Sequence, residues 1–268
     1  MALKFLPSWL RPPPAAPDGV MSLFDHLREL RYRLIVVVFT LIVTSVLSLI
    51  WYNQLYEILL RPYLLAVDML KVSDPNLSPS TVISGVTAPF TLMLKISVTA
   101  GIVLASPVWL YQLWQFVVPA LMAREKRYAA TFLAVSIPLF CAGVAVGYYI
   151  LPQGISVLLS FTPDTVPIVN LLEVNAFLSL TVQLMMVFGL GFLMPVVVVG
   201  LNLIGVLPAT RLAKVRSYVT FGIFVFAAAA TPSTDPFSML ALAIPMVLLY
   251  LGAEVIAHVH DRRKAKKQ

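Results

Sequence analysis

The stretch MSLFDHLRELRYRLIVVVFTLIVTSVLSLIWY, residues Met21–Tyr52, decides the fold class. Its first part is amphipathic and charged, whereas Leu34–Tyr52 contains no charged residue. A helix needs about 20 apolar residues to cross roughly 30 Å of hydrocarbon. The stretch therefore predicts a membrane-spanning helix that begins at a charged surface. It also raises the question of why the acidic Glu29 lies among arginines there.

The composition places the whole chain in the membrane class. Of its 268 residues, 60% are hydrophobic and only 12% are charged, about half the charged fraction of a soluble domain. The single cysteine, Cys141, excludes a disulfide framework and a thiolate metal site. Residues 1–20 contain the run PPP and only short apolar stretches, so we interpret them as a flexible lead-in rather than a cleaved signal.

The uncharged runs predict an all-α polytopic protein with six transmembrane helices. We place the spans at about 24–52, 89–117, 126–151, 173–204, 215–230 and 237–256, within a membrane domain of residues 21–256. The outer loops are then 53–88, 152–172 and 231–236, and the first contains helical spacing over Gln54–Leu70. The fourth span is long enough to tilt or to kink at Pro195. The uncharged parts of the fifth and sixth spans, 14 and 17 residues, cover only about 21 and 26 Å, so they need flanking residues or a thinner bilayer.

Lysine and arginine predict the orientation. Sixteen of the 19 basic residues lie before the uncharged run of span one, between the uncharged runs of spans two and three or of spans four and five, or after that of span six. Only Arg61, Lys71 and Lys95 lie on or near the other side. Basic residues accumulate on the cytoplasmic side of membrane proteins. Both termini are therefore predicted to be cytoplasmic, in the cytoplasmic membrane, with residues 257–268 as a basic tail.

No motif predicts an enzyme, a metal or a cofactor. The chain lacks a GxxxxGK[ST] phosphate loop, an HExxH pair and a GxSxG elbow. His258 and His260 lie beside Asp261, but a zinc site needs further ligands, so a solvated tail is the better interpretation. An intramembrane enzyme would need reactive side chains inside the spans, and all three histidines lie outside the uncharged runs. The basic tail directly follows a span, which favours anionic lipid over nucleic acid as its partner.

The span interiors contain amides rather than charges. Gln112, Gln115, Gln183 and Asn202 are predicted to form hydrogen bonds between helices. Gln183 lies deepest and is open to two interpretations, packing within the chain or contact with a partner. A secondary transporter of a small solute or ion is the alternative function, but it would be expected to carry an ionisable group there. The pattern Gly143–Gly147 predicts close helix approach.

Two acids at the predicted cytoplasmic surface, Glu29 and Glu125, are not explained by orientation, which needs only the bases. One explanation is local: Glu29 and Arg33 are four residues apart on a helix, and Glu125 pairs or caps at the start of span three. The other is recognition: two carboxylates on neighbouring elements hold two adjacent arginines of a partner through paired hydrogen bonds. Spacing alone favours the local explanation.

Three separate stretches resemble one known family, and they occur in its order. They are DHLRELRYRL from Asp25, LASPVWLYQLWQFVVPALMAREKR from Leu104, and TPSTDPFSMLALAIPM from Thr231. Over about Ser22–His260 the chain resembles the TatC family, the receptor and core subunit of the twin-arginine protein translocase. The resemblance implies a curved, glove-like helical bundle. It also implies export of folded proteins across the cytoplasmic membrane of a prokaryote, driven by the proton-motive force.

The resemblance also implies which residues act. It implies a signal-peptide site at Glu29, Glu125, Leu27, Arg31, Phe116, Pro119 and Arg127, in which the two acids bind the paired arginines. It matches Pro62 to the first outer loop of the family and Asp235 to the last outer turn, where the family meets small single-span subunits of the TatA and TatB type. The expected partners are thus twin-arginine signal peptides, those subunits, other copies of the chain and membrane lipid, without nucleic acid.

One position departs from the family pattern. Family members commonly carry an acid two residues before the proline of span four, where this chain has Leu193. Gln183 lies ten residues earlier, about 2.8 turns along a straight helix and so near the same side. It is a candidate to replace that acid.

Overall fold

The computed structural model describes residues 23–71, 80–117, 126–159, 171–203, 205, 207–231 and 236–265. In this part of the chain the elements follow in the order α1 (Leu23–Leu49), α2 (Tyr52–Lys71), β1 (Ser80–Val82), α3 (Ala88–Leu104), α4 (Ser106–Val117), α5 (Lys126–Leu159), β2 (Leu171–Glu173), α6 (Val174–Gly191), α7 (Met194–Leu203), α8 (Ala209–Ala230) and α9 (Pro236–Ala265).

Within the described residues, five segments are long and apolar enough to cross a membrane. They lie in α1, α5, α6 with α7, α8 and α9. The pair α3 and α4 forms a sixth if the two helices, bent by 58°, are counted as one span. These assignments rest on length and composition, and they confirm the predicted all-α polytopic class.

The described helices do not begin and end where the predicted spans do. Helix α5 continues to Leu159, α8 already begins at Ala209, and α9 continues to Ala265. Lysine, arginine and glutamate are good helix formers, so α8 and α9 extend past their uncharged runs into charged sequence. The two short apolar runs are thus embedded in longer helices that supply flanking residues. More than half of the predicted first outer loop is α2, which covers the segment with helical spacing.

The described residues group into two compact units. The first comprises those within Met1–Ile50 and Ser97–Ile137, and α1 and α4 pack against each other in it. Thr44 Oγ1 donates a hydrogen bond of 2.9 Å to the carbonyl oxygen of Gly101. A Cβ at Gly101 would lie 2.8 Å from the Cα of Ser45, so only glycine allows this approach.

The break between α3 and α4 in this unit has a local cause. Pro107 has no backbone N–H and disfavours helical geometry in the residue before it. The indole N–H of Trp109 donates to the carbonyl oxygen of Ile102 at 3.0 Å, which satisfies an acceptor near the end of α3.

The second unit comprises the described residues within Trp51–Ile96 and Pro138–Gln268. The strands β1 and β2 pair in parallel with Ser80 opposite Leu171. Its larger core joins α5, α6, α8 and α9, with Phe188, Leu212, Leu242 and Tyr250 at its centre. The glycines of the GxxxG pattern contact α6 closely: a Cβ at Gly143 would lie 2.5 Å from the carbonyl oxygen of Phe188.

The fourth span is interrupted before Pro195, as the sequence allows. Helix α6 ends at Gly191 and α7 begins at Met194.

The last two helices, α8 and α9, are joined by polar contacts near their charged ends. Arg216 forms an ion pair with the buried Glu254, at 2.6 Å between Nη2 and Oε1. Asp261 accepts the backbone N–H of Ala209 at 2.8 Å.

Candidate functional site

The candidate site begins with a carboxylate buried at the start of α1. Glu29 is 5% exposed, although its helix neighbours Arg28 and Leu30 are exposed. The guanidinium of Arg33, one turn later, donates Nε–H to Glu29 Oε1 at 3.0 Å. The Nη2 group of Arg33 donates to the same oxygen. The local pair anticipated from the four-residue spacing is therefore present.

Helix α4 holds the other side of the Arg33 guanidinium. Nη1 of Arg33 donates to the amide oxygens of Gln112 at 3.2 Å and Gln115 at 3.3 Å. Gln115 in turn donates its amide N–H to the Tyr111 hydroxyl at 2.7 Å. Both glutamines were expected to bond between helices, and they do so here through a charged partner. A single arginine thus connects α1 to α4.

An aromatic contact lies next to this network. The rings of His26 on α1 and Phe116 on α4 are stacked, with centroids 4.6 Å apart and planes 21° apart. His26 and Glu29 are three residues apart, and Glu29 and Arg33 are four apart, which places all three on one face of α1. Phe116, a predicted site residue, thus packs against the face of α1 that carries Glu29. His26, Arg33, Gln112 and Gln115 are additions to the predicted site.

The Glu29 carboxylate is only half satisfied. Both bonds from Arg33 go to Oε1, whereas Oε2 is buried and has no hydrogen-bond partner among the residues that the structure describes. Leaving a buried acceptor unpaired costs about 1–3 kcal/mol, and more for a charged group. The arrangement is therefore a buried anionic acceptor in which one oxygen lacks a donor among the described residues.

The remaining predicted residues of this site divide into two groups. Leu27 and Arg31 are exposed on α1, outside the face that contacts α4. Pro119 and Glu125 lie outside the described residues, as does the side chain of Arg127. The convergence of Glu29 and Glu125 on one ligand therefore stays a prediction.

The predicted partner contacts lie elsewhere. Pro62 is buried within α2, and Gln183 is exposed on α6. Leu193 is 8% exposed and lies beyond the end of α6, so the straight-helix relation between it and Gln183 does not hold. Asp235 is outside the described residues.

One polar contact in the second unit was not predicted. Lys95 on α3 donates a hydrogen bond to the hydroxyl of Ser179, one turn from Gln183 on α6. The sequence placed Lys95 near a span end but gave no signal for this partner. In the described part of the chain, no group of three or more histidine, cysteine or acidic side chains is arranged to hold a metal ion.

The chain is similar to known proteins along most of its length. The sequence model of the family "TatC: Sec-independent protein translocase protein (TatC)" matches residues 25–245. The TatC protein of Frankia casuarinae is 39% identical over 253 residues, covering 93% of this chain and 69% of the relative. That of Xylanimonas cellulosilytica is 36% identical over 249 residues, covering 92% of this chain and 87% of the relative.

The same relationship is found among solved structures. The crystal structure of a twin-arginine translocase receptor, TatC, in the detergent DDM superposes with a TM-score of 0.73 at 33% identity. The match covers 87% of this chain and 99% of that one. A family match over most of the sequence, together with this superposition, is decisive: the chain belongs to the TatC family of Sec-independent protein translocase proteins, which are transport proteins and not enzymes.

Proposed function

We propose that this TatC family member binds twin-arginine signal peptides on the cytoplasmic side of the membrane, with Glu29 and Glu125 as the acceptors for the paired arginines. The chain would thereby select folded proteins for export through the twin-arginine translocase. Leu27, Arg31, Phe116, Pro119 and Arg127 would shape the site around the two acids.

The observation that supports this proposal best is the state of Glu29. Its carboxylate already accepts two hydrogen bonds from a guanidinium, Arg33, and its second oxygen is buried without a partner in the described part of the chain. A guanidinium presents parallel N–H donors that match the two oxygens of a carboxylate, whereas an ammonium is a point charge. This arrangement supports a site that distinguishes arginine from lysine.

Capture would be the first of three steps. After the arginines bind, the apolar part of the signal peptide would enter the membrane along the chain. Bound peptide would then alter how small single-span subunits pack against the last two spans and near Asp235, with Gln183 as a further contact. Pro62 is buried within α2 and would act only through the shape of that helix. The driving force would be the proton-motive force, and both termini would lie in the cytoplasm, as the distribution of basic residues predicts.

A peptide-binding measurement tests the proposal. The full chain in nanodiscs is titrated with a fluorescent signal peptide that carries paired arginines, and with the same peptide carrying paired lysines. Glu29→Gln should weaken binding of the arginine peptide at least tenfold, because a charge-assisted hydrogen bond contributes about 1.5–3 kcal/mol and each 1.4 kcal/mol is tenfold. Glu125→Gln should act in the same direction.

The control is Glu57→Gln, which removes an exposed carboxylate from α2. It should leave the affinity unchanged. If Glu29→Gln and Glu125→Gln both bind the arginine peptide as tightly as the parent does, the proposal fails. Glu29→Lys should bind more weakly than Glu29→Gln, because it places a cation against the cations of the peptide.

A further inference from the structure

Arg33 already occupies the position on Glu29 that a ligand's arginine would take. We propose that Arg33 is an internal guanidinium which the incoming arginine must replace on Glu29, and that this exchange sets the threshold for binding. The inference rests on the proposed function and adds a specificity-determining residue to it.

Access to the Glu29 carboxylate is restricted. The side chains of Arg33 and Glu29 are only 13% and 7% exposed. Oε1 of Glu29 is taken by two donors of Arg33, and Oε2 is buried. A ligand therefore reaches this carboxylate only when the Arg33–Glu29 contact opens. Opening is part of binding, and its cost is subtracted from the affinity of every ligand.

Arg33 keeps hydrogen-bond partners after it leaves Glu29. A buried charge without partners is costly. Arg33 has two further acceptors, the amide oxygens of Gln112 and Gln115, both on α4 and both contacted by its Nη1 group. The guanidinium can release the carboxylate while these two bonds persist. The free-energy cost of the exchange is then small enough for the binding of one ligand to offset it.

The exchange is selective for arginine. A ligand guanidinium replaces the paired hydrogen bonds that Arg33 gives up, and it can also engage the unpaired Oε2. A lysine ammonium cannot form the same planar pair of bonds. The hydrogen bonds of a ligand arginine thus offset the free energy of opening the Arg33–Glu29 contact, whereas those of a lysine do not. Arg33 thus keeps basic peptides without paired arginines from binding to the Glu29 carboxylate.

The exchange has a measurable signature, which is a gain of affinity on removing Arg33. With Arg33→Gln, the full chain in nanodiscs should bind the paired-arginine peptide about tenfold more tightly, and Arg33→Lys should lie between this variant and the parent. A role for Arg33 in packing alone predicts weaker or unchanged binding. The gain should vanish in a Glu29→Gln background, because there is then no carboxylate to release.

The matched control is Arg28→Gln, which removes the same charge from the exposed side of the same helix turn. The inference is overturned if Arg33→Gln binds no more tightly than the parent, or gains no more than Arg28→Gln does. Thermal unfolding of each variant in detergent shows whether it is folded before it is titrated.

A second variant tests the exchange if Arg33→Gln does not fold. Replacing both Gln112 and Gln115 by leucine keeps the Arg33–Glu29 pair but removes the acceptors that Arg33 retains after exchange. Binding of the arginine peptide should fall about tenfold, and affinity equal to that of the parent overturns the inference. If Glu29→Gln and Glu125→Gln both bind as the parent does, the proposed function itself has failed. If Glu29 is required and these Arg33 and glutamine effects are missing, only the exchange has failed.

Discussion

The hydroxyl of Tyr148 on α5 donates a hydrogen bond of 2.8 Å to the backbone carbonyl oxygen of Ile58 on α2. That carbonyl lies four residues before Pro62, which has no N–H to donate to it. The tyrosine therefore supplies the hydrogen bond that proline removes from the helix. The contact accounts in physical terms for a buried proline inside α2, one of the positions that resembles the family.

The first prediction concerns this pair. Tyr148→Phe should lower the free energy of unfolding by about 0.5–1.5 kcal/mol, because it leaves the Ile58 carbonyl without a donor. In a Pro62→Ala background the loss should be smaller, since the new N–H of residue 62 can bond to Ile58 within the helix. Thermal unfolding in detergent measures both. Equal losses in the two backgrounds would show that the tyrosine acts independently of the proline.

The second prediction compares two glycines. A Cβ at Gly143 would lie 2.5 Å from the carbonyl oxygen of Phe188 and 2.9 Å from the Cα of Gly189, and backbone atoms cannot move aside cheaply. Gly143→Ala should therefore destabilise the protein by about 1–3 kcal/mol.

Gly222 is the control for this prediction. Among the described residues, no atom outside the neighbouring stretch of α8 lies within 4 Å of a Cβ built there, so Gly222→Ala should be neutral or slightly stabilising. Unfolding midpoints in one detergent compare the two variants. Similar midpoints for both would contradict the close approach of α5 to α6.

Much of the architecture follows from the sequence, because hydrophobicity over about 20 residues is a local property. The uncharged runs indicate the spans, and Pro195 marks the interruption between α6 and α7. The break at Ala105 was not predicted, although Pro107 was visible, because a proline in a first helical turn fits equally well inside a longer bent span. The helix ends were not predicted either, since charged residues continue a helix as readily as they end a span.

The candidate site was predicted in part, for a similar reason. The pairing of Glu29 with Arg33 follows from a spacing of four residues, which periodicity detects. The bonds from Arg33 to Gln112 and Gln115 connect residues 79 and 82 positions apart in the chain, and only the packing of α1 on α4 decides them. The family assignment also sets aside the transporter alternative, which rested on composition alone.

The third prediction concerns the start of α8. Asp261 near the end of α9 accepts hydrogen bonds from the Ala209 N–H at 2.8 Å and from the Asn202 side-chain amide at 3.2 Å. It thereby caps α8 from a distant part of the sequence, where Pro208 as the capping residue supplies no side-chain hydrogen bond. Asp261→Ala should cost about 1 kcal/mol, the usual value of a lost cap.

The neighbouring Arg263→Ala serves as its control, because that side chain is exposed on the same helix end. It should change stability by less than about 0.5 kcal/mol, as substitutions at exposed surface positions usually do. If both variants unfold at the same temperature, the cap contributes nothing.

The fourth prediction concerns Gln183, an amide side chain that is exposed on the apolar helix α6. If it contacts a single-span partner, as proposed, Gln183→Cys in a Cys141→Ala background should form a disulfide with a cysteine scanned along that partner's helix. Leu193→Cys is the matched control, because Leu193 is only 8% exposed. Gln183→Leu should alter the stability of the isolated chain by less than about 0.5 kcal/mol, because the residue is exposed. Equal cross-linking from both positions, or a large loss of stability in Gln183→Leu, would instead indicate that the glutamine acts within the chain.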